Sequence, residues 1–416
     1  MDRGIKREEN SRINTETEQE GNSRLSEGTG KKDVPCQPEG TGEKDVPCQP
    51  EGTGKKDIPG LTAEEGQAAA RALLSWYRRN KRDLPWRRNP TPYQVWVSEI
   101  MLQQTRVEAV KPYYERFLRE LPDAAHLAAC PEEKLLKLWE GLGYYSRVRN
   151  MQAAAKQVME EYDGRLPDDV QKLLRLKGIG SYTAGAIASI AYGIPVPAID
   201  GNALRVAARV LESREDIRTP AFHARVEKLL LSLLPAEDPG GFNQAVMDLG
   251  ASICVPNGQT KCEVCPLASA CRSRQNGTAS EIPVKPLKKT RETEERTVLV
   301  IQDGAWTLLH RRPGKGLLAG MYELPNVKGF LNREEALLYV QETGLEPLFI
   351  QALPDAKHVF THLEWRMKAY LVRVSSLEKK HLSGFVFADK KGRERIYPIP
   401  SAFRAYVKYM KEEETE

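Results

Sequence analysis

Two carboxylates are placed in this chain where they could do chemistry together. Glu99 lies in YQVWVSEIMLQQTRV, a stretch whose spacing predicts a helix. Asn89-Pro90 leads into that helix, with Thr91 as its cap and Pro92 in its first turn. Val95, Glu99 and Leu102 fall on one stripe, with Trp96 and Gln103 beside them. An acid among apolar neighbours is costly to ionise, so its pKa should rise, which is the state a general acid needs near neutral pH. A structural Glu paired with an arginine would fit the same helix. Asp200, in PAIDGNALRVAARV, stands at a helix start, where aspartate is a favoured cap. Backbone N–H donation and the positive end of the helix should keep it ionised. A neutral acid with an ionised carboxylate is the pair that glycoside cleavage uses.

Four cysteines, Cys254, Cys262, Cys265 and Cys271, form a C-x7-C-x2-C-x5-C run. One close pair, two outliers and Cys265-Pro266 lie nearer an iron–sulfur pattern than the two close pairs of structural zinc, which is the alternative. Seven cysteines in all is an odd number for a disulfide framework and suits a reducing compartment. The segment MDRGIKREENSR is too polar for a signal peptide, and the longest near-apolar run, 187–199, holds Ser, Gly and two Pro. An intracellular, cytoplasmic chain with no membrane association is expected.

LLRLKGIGSYTAGAIASIA (173–191) reads as helix, turn, helix. Gly178 and Gly180 would let the turn approach a surface closely, and the helix start at Ser181 would offer free N–H groups to a phosphate. An ordinary C-cap turn is the plainer reading. A second such unit at Gly141–Gly143 is followed by Tyr144 and Tyr145, aromatics that could enter a base stack.

The elements that must carry these residues divide the 416-residue chain, long enough for two or three domains at roughly 150 residues each. Residues 1–60 form a polar tail in which EGTGKKDVPCQP, EGTGEKDVPCQP and EGTGKKDIPG recur, with Cys36 and Cys48 in register. One Val or Ile per unit gives nothing to stack, so the tail should be disordered. It holds 10 basic and 13 acidic residues against a whole-chain net charge of +5, leaving a basic body that permits a polyanionic partner. Apolar three- and four-residue spacing makes 61–274 all-α, 275–295 reads as a polar linker, and 296–416 reads as an α+β domain. That last domain should open with a hairpin about Asp303-Gly304 and hold a helix at 333–343.

With RDLPWR, WVSEIMLQQTRV, GLGYYSR, GIGSYTAGAI, IDGN and the four cysteines together, the chain resembles the MutY-type adenine DNA glycosylases of the endonuclease III helix-hairpin-helix superfamily. The resemblance implies a monomeric repair enzyme that removes adenine mispaired with 8-oxoguanine or guanine in double-stranded DNA and carries a [4Fe-4S] cluster on Cys254, Cys262, Cys265 and Cys271. It makes Glu99 the acid that protonates adenine N7, Asp200 the stabiliser of the sugar cation, and Tyr182 and Asn202 their hydrogen-bond partners. It puts Arg82, Leu84, Trp86, Arg87 and Gln244 around adenine, and Gln104, Thr105 and Tyr144 at the lesion side. Gly178, Gly180 and Ser181 become the phosphate clamp. Related bifunctional lyases carry a nucleophilic Lys where this chain has Tyr182, so a monofunctional enzyme is expected. The competing readings are such a lyase and a non-catalytic DNA-binding iron–sulfur protein, which would have no need of a buried Glu99.

The C-terminal domain, with LLHRRPGKGLLAGMYELPN, resembles the Nudix-like 8-oxoguanine reader of these enzymes. Its glutamate-rich box is degraded: Leu337, Leu338 and Gln341 stand at acidic or basic box positions, and only Glu342 and Gly344 fit, so pyrophosphate hydrolysis is not expected. Phe360, Thr361 and His362 match the lesion-reading loop, which usually reads Phe-Ser-His. The first cysteine spacer has one residue more than the family's usual six, which requires a bulge around Pro256–Gly258.

Overall fold

Helix starts in this chain are set by a short polar side chain, often followed by proline. Thr62 caps α1 (Ala63–Asn80): its hydroxyl accepts the Glu65 N–H at 3.2 Å, and the Glu65 carboxylate accepts the Thr62 N–H at 2.9 Å. Thr91 and Gln94 repeat the arrangement at α2 (Pro92–Leu102). The computed structural model describes residues 62–284, 290–377 and 382–410; the repeat tail, with Cys36 and Cys48, lies outside them. α3 (Val107–Glu120), α4 (Ala124–Ala129), α5 (Glu132–Leu138), α6 (Ser146–Glu161), α7 (Val170–Arg175) and α8 (Ser181–Tyr192) follow. Then come α9 (Gly201–Val210), α10 (Pro220–Leu233), α11 (Pro239–Ser252) and α12 (Arg272–Gln275). No helix among the described residues is long and apolar enough to cross a membrane.

These helices build two cores. The first gathers α2 to α8 around Trp96, Phe117 and Trp139, the last two packed edge to face with centroids 5.9 Å apart. The second joins α1 to α9, α10 and α11 through Leu73, Phe222 and Phe242. The lobes meet closely where glycine permits it. A Cβ at Gly185 on α8 would collide with the Pro197 carbonyl oxygen, and one at Gly240 on α11 would press on the α8 backbone at Ser189 and Ile190.

Residues 275–284, expected as linker, return to the second core: Ile282 is buried there and its carbonyl accepts Arg209 Nε at 2.7 Å. The sheet also starts earlier than expected. β1 (Glu292–Asp303) pairs in parallel with β6 (Leu363–Val374) from Glu292 onward, so residues polar in sequence are drawn into a strand by their partner. β2 (Trp306–Arg311), β3 (Tyr322–Glu323), β4 (Asn326–Lys328), β5 (Pro347–Val359) and β7 (Phe385–Ala388) complete a sheet ordered β3-β2-β1-β6-β5, with β4 beside β1 and β7 beside β2. β1 and β2 are antiparallel about Asp303 and Trp306, as a hairpin at Asp303-Gly304 requires.

The Val298-Leu299-Val300-Ile301 run explains the two-faced core. Val298 and Val300 face Phe403 and Tyr406, while Leu299 and Ile301 face Ala336 and Val340 of α13 (Arg333–Glu342). Met321, from the segment before β3, is fully buried in the first helical core, so the two domains share packing. We expect Gly185→Ala to destabilise the chain by about 1–3 kcal/mol through overpacking. A urea midpoint that stays in place or rises would contradict the close approach of α8 to Pro197.

Candidate active site

Glu99 comes from the first lobe and Asp200 from the second, and both line a cavity of about 580 Å³ between them. Glu99 is 5% exposed, among Val95, Leu102 and Ser98 of its own helix. Burial pushes its carboxyl up to about 7. Asp200 adds to the rise, while the hydrogen bond from the Tyr182 hydroxyl and the charge of Arg87 oppose it. Tyr182, the second residue of α8, donates to Glu99 Oε2, and burial holds its own pKa well above the usual phenol value.

Asp200 caps α9: its Oδ1 accepts the Ala203 N–H at 2.7 Å and its Oδ2 accepts Asn202 Nδ2 at 2.6 Å. Desolvation in the cleft raises its pKa above the ordinary value, and the hydrogen bonds from Ala203 and Asn202 oppose that rise, as expected for a cap that favours the ionised form. Asn202 is itself held at Oδ1 by Arg205 Nη2 at 2.8 Å, and Arg205 Nε donates to the Cys254 carbonyl at 2.9 Å. The backbone of the cysteine loop thereby supports the cap of α9.

Arg82, Leu84, Trp86, Arg87, Gln104, Thr105 and Gln244 line the same cavity. Leu84 and Trp86 are also buried members of the first core, so one surface of each serves both roles. Asp248, which sequence reasoning missed, orders the two arginines. Its carboxylate accepts Arg82 Nε at 2.8 Å and Arg87 Nη1 and Nη2 at 2.7 and 3.0 Å. Burial works against its ionisation, but the Arg87 and Arg82 contacts prevail and hold its pKa below the ordinary value. Gln104 takes a left-handed φ of 57° after the end of α2, which turns the chain along the cavity edge.

Arg147 closes the GLGYYSR motif. It is a central tie. Its guanidinium donates to the carbonyls of Ile100, Met101 and Gln103 on one side and of Leu142 and Gly143 on the other. The consecutive tyrosines separate. Tyr145 is buried, whereas Tyr144, at a left-handed φ of 48°, stands 48% exposed. Tyr144 Oη lies 3.1 Å from Thr361 Oγ1, and both line a second cavity of about 930 Å³ with Phe360 and His362. At the hairpin, Gly178 has φ 82°, and a Cβ there would press against Asn150. Gly180 caps α8 in open space, and Ser181 is exposed.

Cys254, Cys262, Cys265 and Cys271 form no disulfide among the described residues and lie near one another. The Cys265 thiol is pushed up to about 12, mostly by burial, with the other three thiols adding to the rise and a backbone hydrogen bond at Leu267 opposing it. Arg209 Nη1 donates to Cys254 Sγ at 3.1 Å. The extra spacer residue is absorbed by a bend at 256–258 with Gly258 at φ 86°, closed by the Lys261 N–H on the Ile253 carbonyl at 3.2 Å. Among the described residues no group of three or more His, Cys, Asp or Glu side chains is arranged to hold a single metal ion.

The raised Glu99 pKa has a stability consequence. Between pH 4.5 and about 7 the folded chain keeps a proton at Glu99 that the unfolded chain releases, so this group's contribution to stability is lost as pH rises across that window. Glu99→Gln should therefore be more stable than the parent at about pH 8, by about 3 kcal/mol for a rise from 4.5 to about 7, with the difference shrinking toward about pH 4. Denaturant titrations giving the same difference at both pH values would contradict the burial argument.

Residues 97–232 match the HhH-GPD superfamily base excision DNA repair protein family, and residues 296–409 match the NUDIX domain. The adenine DNA glycosylase of Mus musculus is 36% identical over 72% of this chain and 69% of its own length. That of Buchnera aphidicola subsp. Acyrthosiphon pisum is 32% identical over 73% of this chain and 85% of its own. A solved structure described as a thermostable thymine-DNA glycosylase matches 51% of this chain and 98% of its own at 27% identity, with a TM-score of 0.47. With the paired carboxylates between two helical lobes and the Nudix-like sheet behind them, the chain belongs to the adenine DNA glycosylase family.

Proposed function

We propose that this chain is a monofunctional base excision repair enzyme that hydrolyses the N-glycosidic bond of adenine mispaired with 8-oxoguanine or guanine in DNA. One observation carries the reading: Glu99, a buried carboxyl raised to about 7, shares a cavity of about 580 Å³ with Asp200. At that pKa a large fraction of Glu99 holds a proton near neutrality. The proton passes from Glu99 to adenine N7, the glycosidic bond breaks with its electron pair leaving on the base, and the Asp200 carboxylate stabilises the sugar cation. The Glu99 carboxylate then takes a proton from the water that adds to the sugar. Proton donation of this kind supplies roughly 10²–10⁴-fold. Tyr182 and Asn202 hold the two carboxylates, and Arg82, Arg87, Leu84, Trp86 and Gln244 enclose the flipped base.

Gly178, Gly180 and Ser181 would receive a DNA phosphate at the start of α8. Gln104, Thr105 and Tyr144 would face the position vacated by adenine, and Phe360, Thr361 and His362 would read the opposing 8-oxoguanine. The C-x7-C-x2-C-x5-C spacing, one close pair with two outliers, favours a [4Fe-4S] cluster over zinc on Cys254, Cys262, Cys265 and Cys271. When bound, such a cluster would cross-link the loop whose Cys254 carbonyl supports Arg205.

Against a lyase stands the absence of an amine: no lysine is among the described residues lining the cavity, and Tyr182 occupies the position where the lyase carries one. Single-turnover assays on duplexes with adenine opposite 8-oxoguanine, guanine or thymine should give strand breaks only after hot alkali, fastest opposite 8-oxoguanine. Glu99→Gln should keep DNA binding and lose excision. Breaks without alkali would establish a lyase, and DNA binding with no excision would establish the non-catalytic alternative.

A further inference from the structure

The loop that carries Tyr144 is anchored to the C-terminal domain by charged side chains, of which Lys137 and Glu140 line neither cavity. Lys137, in the last turn of α5, has a side chain only 14% exposed. Its ammonium donates to the Arg393 carbonyl at 2.6 Å and the Tyr397 carbonyl at 3.2 Å, at and just beyond the last turn of α14 (Lys390–Arg395). The same ammonium pairs with Glu140 at 2.5 Å, and Glu140 Oε1 accepts the Ile399 N–H at 2.8 Å. A cation at a helix C-terminus is favourable because the last carbonyls lack partners of their own.

The gripped segment is itself fixed within the C-terminal domain. The Arg393 side chain donates to the Ala388 carbonyl at 2.9 Å and to Thr307 Oγ1 at 3.1 Å, which ties α14 to β7 and β2. Glu133, one turn before Lys137, accepts the Tyr322 hydroxyl and pairs with Arg311, each at 3.2 Å. Beyond the loop, Arg149 Nη2 donates to the Ala319 carbonyl at 2.5 Å. The Gly141–Tyr144 loop is therefore held to the sheet domain on both sides, and Glu140 is its immediate neighbour. Gly141 takes a left-handed φ of 99°, which disfavours any side chain there, and it lies beside the Tyr113 hydroxyl.

We propose that Lys137 and Glu140 are positioning residues for opposing-base recognition: they fix the Gly141–Tyr144 loop against the 358–362 loop before DNA arrives, so that the cavity between them is already assembled. This rests on the reading that the cavity receives the lesion. Neither residue touches substrate; both act through the distance between the two loops. Without the latch, part of the binding free energy of the lesion must be spent on assembling its cavity, which lowers discrimination without altering the carboxylate pair.

The test uses the full chain with Lys137→Met, Glu140→Ala and Glu140→Gln, the last retaining an acceptor for the Ile399 N–H. Single-turnover excision is measured with adenine opposite 8-oxoguanine and opposite guanine, and hydrogen exchange is followed across 393–399. We expect Lys137→Met and Glu140→Ala to lower the ratio of the two rates about tenfold, with the rate opposite guanine within about twofold of the parent, as for lost charged hydrogen bonds felt only through recognition. Exchange at 393–399 should quicken in both, and Glu140→Gln should recover much of the ratio and the protection. A parental ratio kept in both variants, or an equal fall on both duplexes, overturns the latch alone. A parent that does not distinguish the two opposing bases overturns the lesion-reading function and the latch with it. If Lys137→Met does not fold, the contrast between Glu140→Ala and Glu140→Gln decides by the same readings.

Discussion

A carboxyl group keeps its proton near neutral pH only if water is held away from its charged form. Glu99 meets that condition because α2 places it inward, between Val95 and Leu102, and because the second lobe closes the space in front of it. The rest of the site follows from that desolvation. It raises the value of every nearby charge, so the Tyr182 hydroxyl, Arg87 and Asp200 each move the Glu99 equilibrium. It also requires that any cation in the cavity be compensated, and Asp248 does this for Arg82 and Arg87 together.

The two lobes divide the site. The first carries Glu99 and its phenol partner, and the second carries the aspartate at the cap of α9. Their separation depends on glycine contacts, Gly185 on Pro197 and Gly240 on the α8 backbone, that admit no side chain. α9 connects the site to the cysteine loop through Asn202, Arg205 and the Cys254 carbonyl. Arg147 has the corresponding part in the first lobe, joining the end of α2 to the loop that presents Tyr144.

What could be read in the chain beforehand was local. The apolar stripe around Glu99, the Thr91-Pro92 start, the Gly178 turn and the continuous Val298–Ile301 run each act within one element, where periodicity and backbone geometry decide the outcome. What escaped was tertiary. Asp248 lies 166 residues from Arg82, and nothing in the spacing of either announces their pairing. At Asp200 the capping hydrogen bonds are local and visible in the chain, while the desolvation that opposes them is not. The split between Tyr144 and Tyr145 turns on one left-handed residue, and the packing of Ile282 depends on a core assembled from four distant helices.

Burial beside Asp200 raises the Glu99 carboxyl to about 7, so a large share of it holds a proton near neutrality in the folded chain. The most direct measurement is the carboxyl stretch of Glu99 by infrared difference spectroscopy, parent minus Glu99→Gln, followed across pH without DNA. A protonated carboxylic acid band that disappears with a midpoint near 7 is expected. A band already lost at the ordinary carboxylate value near 4.5 would contradict it.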